Sequence, residues 1–142
     1  MIAILPRNND TRRVQPAGAV RIALLLALGA AVSYLMIGLN VLTVGDLQPS
    51  EAPAAITYVC AGGYLLGGLL ILLRRRSLWI VGAVVNALVM LIFFAAYAGR
   101  PSVMFSPGGL ATKAAELLLE VSLIYLIFTY STRRHRSRWS AT

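Results

Sequence analysis

Residues 22–42, 54–73 and 78–98 contain no acidic or basic side chain, and each run is at least 20 residues long. A helix rises about 1.5 Å per residue, so ~20 apolar residues cross the ~30 Å hydrocarbon core of a bilayer. A fourth run, residues 107–130, is as long but carries Lys113, Glu116 and Glu120. Only helices and closed barrels satisfy their backbone groups in lipid, and barrel strands need ~10 alternating residues rather than 20 apolar ones. The sequence therefore predicts an all-α membrane protein. It is a four-transmembrane-helix bundle forming one multi-pass domain over residues 1–142, with tails at 1–19 and 131–142.

Composition supports that class. Hydrophobic residues make up 58% of the chain and charged residues only 13%, against about 25% charged in an average soluble domain. A net charge of +8 and a pI near 10.6 would ordinarily point to nucleic acid. Here the basic residues flank the apolar runs instead of forming a stripe on a soluble face, so no nucleic-acid partner is expected.

Their placement sets an orientation. Arg7, Arg12, Arg13 and Arg21 precede the first run, Arg74, Arg75 and Arg76 join the second to the third, and Arg133, Arg134, Arg136 and Arg138 follow the fourth. The two remaining connections hold Arg100 alone. The positive-inside rule then places both termini in the cytoplasm and the protein in the cell (plasma) membrane. Arg12–Arg13 before an apolar run also resembles a twin-arginine leader, but the run continues to Val44, too long for a signal h-region, and a retained anchor is expected. The bilayer, and anionic headgroups near the arginine clusters, are the expected partners.

Local signals mark the helix ends. Ser50 with Pro53, Ser77, and Ser106 with Pro107 are candidate caps for the second, third and fourth runs. Trp79 and Tyr97 suit interfacial anchors at opposite ends of the third. Small residues offer sites of close helix approach: Gly63 and Gly67 form a Gly-x-x-x-Gly pair, expected to pack within the chain, and Gly29 shares a face with Ser33.

Lys113, Glu116 and Glu120 are spaced i, i+3, i+7 and so share one helical face. An ionised carboxylate at a helix centre costs about 2.5–3.5 kcal/mol, while each Leu, Ile, Val or Phe returns about 0.3–0.6 kcal/mol, so the run still inserts. Counted from the cytoplasmic ends, Ser33 lies ~16 Å deep, Tyr64 ~13 Å, Asn86 ~12 Å and Glu120 ~15 Å. This layer predicts a polar pocket in the outer half of the bundle, with Glu120 at its floor and Asn40, Tyr58, Tyr97, Glu116 and Lys113 above. Lys113 is expected near the outer interface as the counter-charge of Glu116.

Three roles fit these residues. Glu120 and Glu116, with Lys113, Asn86, Tyr64 and Ser33, could form a proton, cation or small polar ligand site. They could form a structural hydrogen-bond network. They could also face another subunit, or a second copy of the chain.

Catalysis finds no support. No Gly-x-Ser-x-Gly turn or phosphate-binding loop is present, and the single histidine, His135, lies in the basic tail. The single cysteine, Cys60, excludes a thiolate metal cage or a redox pair. The chain is expected to be no enzyme, to hold no cofactor or metal, and to serve as a non-enzymatic accessory or assembly subunit of a larger membrane complex. A small transporter or channel-like oligomer using Glu120 and Glu116 is the alternative.

Overall fold

A computed structural model describes residues 17–48, 51 and 54–139, with residues 130–139 described by their backbone alone. Expectations concerning residues 1–16, the caps Ser50 and Pro53, and the side chains of the basic tail fall outside the described residues. The regular elements among the described residues are all helices: α1 (Ala17–Gly38), α2 (Ala54–Leu72), α3 (Arg76–Tyr97), a single turn α4 (Pro101–Met104) and α5 (Pro107–Trp139). Helices α1, α2 and α3 are each long and apolar enough to cross a membrane. No strand occurs among the described residues.

Helix α1 starts and stops earlier than the apolar run suggests. Asn40 adopts a left-handed φ of 57°. The amide of Asn40 bonds the carbonyl of Ile37 at 2.9 Å, and that of Val41 bonds Met36 at 2.8 Å. This pair of bonds is a Schellman stop, with Asn in the position that tolerates left-handed backbone. Asn40 thus ends a helix and lines no mid-membrane pocket. Arg74, with φ 51°, ends α2 in the same conformation.

Of the predicted caps, Ser106 performs as expected: its Oγ accepts the amide of Gly109 at 3.0 Å, opening α5. Ser77 does not. Helix α3 begins one residue earlier, at Arg76, with extended Arg75 at the cap position and no side-chain cap bond. The connection before α5 is also tighter than a plain loop, because it folds into α4.

The helices are apolar on nearly every side, and small residues select the inward face. Along α1 the buried positions are Val20, Ala23, Ala27, Ala30, Ala31 and Gly38, at helical spacing. They let α1 lie close to α2 and α5, the two helices it contacts most, while α3 leans mainly on α5. Gly38 and Gly68 supply close α1–α2 approaches: a Cβ on Gly38 would lie 2.7 Å from Thr57 Oγ1, and one on Gly68 would lie 3.3 Å from Leu24 Cδ1 and 3.5 Å from Ala27 Cβ. At Gly29, Gly63 and Gly67 a Cβ would meet open space, so these glycines make no helix contact within the chain.

Trp79, Leu119, Leu123 and Leu126 complete the core. Trp79 is 1% exposed and is not an interfacial anchor. Its indole N–H donates to the carbonyl of Ile71 at 3.3 Å, beside the Arg74 amide that bonds the same oxygen at 3.2 Å. Outward-facing side chains such as Leu25, Val59, Leu69, Val84, Leu91 and Phe128 remain more than three-fifths exposed. That continuous apolar exterior matches lipid and would be untenable in water.

At the end of the bundle opposite Arg74–Arg76, Arg100 ties the two loops together. It reaches Asp46 at 3.2 Å and Glu51 at 2.9 Å, while Ser102 Oγ donates to Asp46 Oδ1 at 2.7 Å. The Asp46 carboxyl is held below its ordinary range by the Ser102 hydroxyl and then by Arg100. Glu51 is lowered by the amide of Gln48 and then by Arg100. Gly45 permits the approach: its φ is +60°, and a Cβ there would collide with the carbonyl group of Ser102.

Candidate functional site

Helix α5 turns its charged face inward. Glu116 is fully buried and Lys113 is 7% exposed. Lys113 Nζ donates to Glu116 Oε2 at 2.5 Å, and Tyr34, from α1, donates its hydroxyl to Glu116 Oε1 at 2.6 Å. Both carboxylate oxygens are therefore engaged. The ammonium also sits 4.3 Å from the centroid of the Phe93 ring of α3, where the negative face of the ring attracts a cation.

A second set of bonds adjoins the first. Tyr64, from α2, donates to Asn86 Oδ1 at 3.0 Å. The Asn86 amide group, on α3, donates to the backbone carbonyl of Glu116 at 3.0 Å and to Glu120 Oε2 at 2.9 Å. The rings of Tyr34 and Tyr64 stack at 5.6 Å with 12° between their planes, linking the two sets through α1 and α2. All four long helices thus contribute to one cluster. Among the described residues, no buried side-chain nitrogen or oxygen lacks a hydrogen-bond partner.

Of the residues singled out from sequence, Lys113, Glu116, Glu120, Asn86 and Tyr64 come together. Ser33 does not: its Oγ turns back to the carbonyl of Gly29 at 2.9 Å, a common way for serine to satisfy itself in a helix. Lys113 is buried within the bundle, paired with Glu116 as its counter-charge. Glu116, not Glu120, is the deepest carboxylate; Glu120 is half-buried at the rim, with Asn86 as its hydrogen-bond donor.

Tyr34 and Phe93 belong to the cluster and were missed. Tyr34 carried a signal, because it follows Ala27 by seven residues and Ala31 by three, on the small-residue face of α1. Phe93 lies seven residues after Asn86, on the same face of α3.

No polar pocket surrounds the charges. A cleft of about 300 Å³ opens between α2 and α3, and a second of about 210 Å³ lies beneath the α1–α2 loop. Neither is lined by Lys113, Glu116 or Glu120. The larger one reaches only Tyr64 and Asn86 of the cluster, and its walls are otherwise apolar. Chemically, the arrangement neutralises a charge pair and fixes its orientation; it presents no free donor set around Glu116. No group of three or more His, Cys, Asp or Glu gathers among the described residues.

No protein family matches this chain, and no curated protein or solved structure resembles it significantly.

Proposed function

We propose that this chain is a non-enzymatic accessory or assembly subunit of a larger complex in the cell membrane, with α5 as a fourth span and both termini cytoplasmic. The supporting observation is that Lys113, Glu116 and Tyr34 satisfy one another in the buried interior of the bundle. A transport site needs an ionisable group open to its cargo, and Glu116 has none of its oxygens free. The charges instead hold α5 in one rotational setting against α1 and α3. The Arg asymmetry between the two ends of the bundle supports the orientation.

The test is extraction of native membranes into a mild detergent, followed by mass measurement and identification of every chain present in stoichiometric amount. The expected result is a particle containing this chain and at least one other membrane protein in fixed ratio. A lone monomer would refute the reading.

A second reading has one observation in its favour: Glu120 is half-buried at the edge of the cluster, with Asn86 donating to a single one of its oxygens. A small transporter or channel-like oligomer would use it for proton or cation coupling. Proton flux into proteoliposomes under an imposed membrane potential would then be abolished by Glu120→Gln. Equal flux through both proteins would remove this alternative.

A further inference from the structure

The larger cleft, and not the charge cluster, is the open feature of this molecule. Helices α2 and α3 barely touch, although a short turn joins them. The gap between them has Gly63, Gly67 and Ile71 on the α2 wall, Gly82 and Val85 on the α3 wall, and Leu123 at its base. A Cβ on Gly63 or Gly67 would meet nothing within 4 Å, so the glycines create the space. On α2 the lining runs from Val59 to Ile71, a rise of ~18 Å, close to the ~15 Å depth of one leaflet.

One end of this cleft is strongly cationic. Ile71, in the cleft wall, precedes Arg74 by three residues, a rise of ~4.5 Å along the helix axis, so the turn Arg74–Arg75–Arg76 follows directly on this end of the cleft without lining it. All three arginines are exposed, and none forms an ion pair among the described residues. A narrow apolar slot about one leaflet deep, next to a turn of three exposed arginines, suits the two parts of a phospholipid: a hydrocarbon tail and an anionic head.

We infer that the α2–α3 cleft binds one acyl chain of an anionic phospholipid whose phosphate is held by Arg74, Arg75 and Arg76. The inference is independent of the accessory-subunit reading, since a bound lipid serves a subunit and a transporter alike. A partner helix fits less well. At about 10 Å across, it would lie over the opening without filling the slot, leaving the arginines without a counter-charge.

The test is native mass spectrometry of the purified full-length protein, titrated with phosphatidylglycerol or with phosphatidylcholine of the same chain length. Wild-type protein should retain one phosphatidylglycerol with at least ~10-fold preference, given roughly fivefold per arginine at a membrane surface. Gly63→Leu/Gly67→Leu fills the slot and should lose the tightly held lipid. Val85→Trp obstructs it from the other wall and should do the same should the glycine variant fail to fold. Arg74→Gln/Arg75→Gln/Arg76→Gln should keep a lipid but lose the preference, as should wild-type protein at raised salt. Equal retention of the two lipids by wild-type protein, or undiminished phosphatidylglycerol in a folded slot-filled variant, would overturn the inference. So would a dimer in the same spectra that the slot-filled variants abolish, because the cleft would then belong to a second copy.

Discussion

Replacing Lys113 with Met tests the charge cluster most directly. Met is close to the lysine stem in length and volume, so the change removes the ammonium without opening a cavity. It leaves Glu116, with no exposed surface, holding only the Tyr34 hydroxyl on its side chain. Breaking a buried ion pair by removing one partner costs about 3–5 kcal/mol in soluble proteins. Polar contacts within membranes are worth less, averaging about 0.6 kcal/mol for a hydrogen bond, because the unfolded chain in the bilayer also finds partners. The lower end, about 3 kcal/mol, is therefore the expected loss for Lys113→Met. Glu116→Gln should cost a similar ~3 kcal/mol, since it strands the ammonium instead.

The double variant, Lys113→Met with Glu116→Gln, separates this explanation from general damage. With both charges gone, the introduced carboxamide keeps the Tyr34 bond through its oxygen, and its uncharged NH2 group, with two N–H donors, is what is left unsatisfied, costing about 1–3 kcal/mol. Two single losses of ~3 kcal/mol each would then give a double loss no greater than either one, a coupling of about 3 kcal/mol. Reversible unfolding in mixed micelles, followed by far-UV circular dichroism, measures all four corners of the cycle. A single-variant loss below ~1 kcal/mol with additive behaviour would refute a buried, mutually dependent pair.

Two further outcomes concern the loop end of the bundle. Asp46 and Glu51 have carboxyls held below their ordinary range in the folded protein, so they contribute stability above the unfolded carboxylate values that is lost as pH falls through the lowered ones. Hydrogen-exchange protection of residues 44–48 and 100–105 should therefore fall as pH drops below ~4, and Arg100→Met should give the same loss at neutral pH; protection that is flat with pH would contradict the Arg100 bridge. Gly45→Ala should destabilise by about 1–2 kcal/mol from the left-handed backbone alone, with the contact to Ser102 adding to it. A melting temperature equal to that of wild type would show that the two loops do not meet as described.

The helices were legible in the sequence because hydropathy over 20 residues is a strong signal that tertiary context rarely reverses. The charged face of α5 was legible for the same reason, since only one face carried charge and lipid rejects charge, but charge alone leaves open whether it meets this chain or a partner. What failed were inferences from single residues. Trp79 has the ring of an interfacial anchor, but it packs into the core, where its indole N–H bonds the Ile71 carbonyl. Asn40 and Ser33 have the polarity of a mid-membrane layer, yet one ends a helix and the other bonds its own backbone. Gly63 and Gly67 announce a close approach without saying whether a helix of this chain makes it. Tyr34 was hidden behind its more polar neighbour Ser33, whereas the alanine spacing, not polarity, marks the buried side of α1.

The cluster and the cleft have a common origin. Two glycines on α2, with Gly82 opposite on α3, would allow those helices to close on each other. They are joined instead by two side-chain bonds, the Tyr64 phenol to the Asn86 amide at 3.0 Å and the Trp79 indole to the Ile71 carbonyl at 3.3 Å. Asn86 is in turn fixed to α5 through Glu116 and Glu120, and α2 is drawn toward α1 along Gly68 and Gly38, where Thr57 and Tyr58 lie against the backbone. Each helix is thus committed to a different neighbour, and Tyr64 spans the remaining distance as a strut. The polar network that makes buried charge tolerable in α5 also fixes α3 to α5 and away from α2, and the glycines line a slot that no described side chain fills.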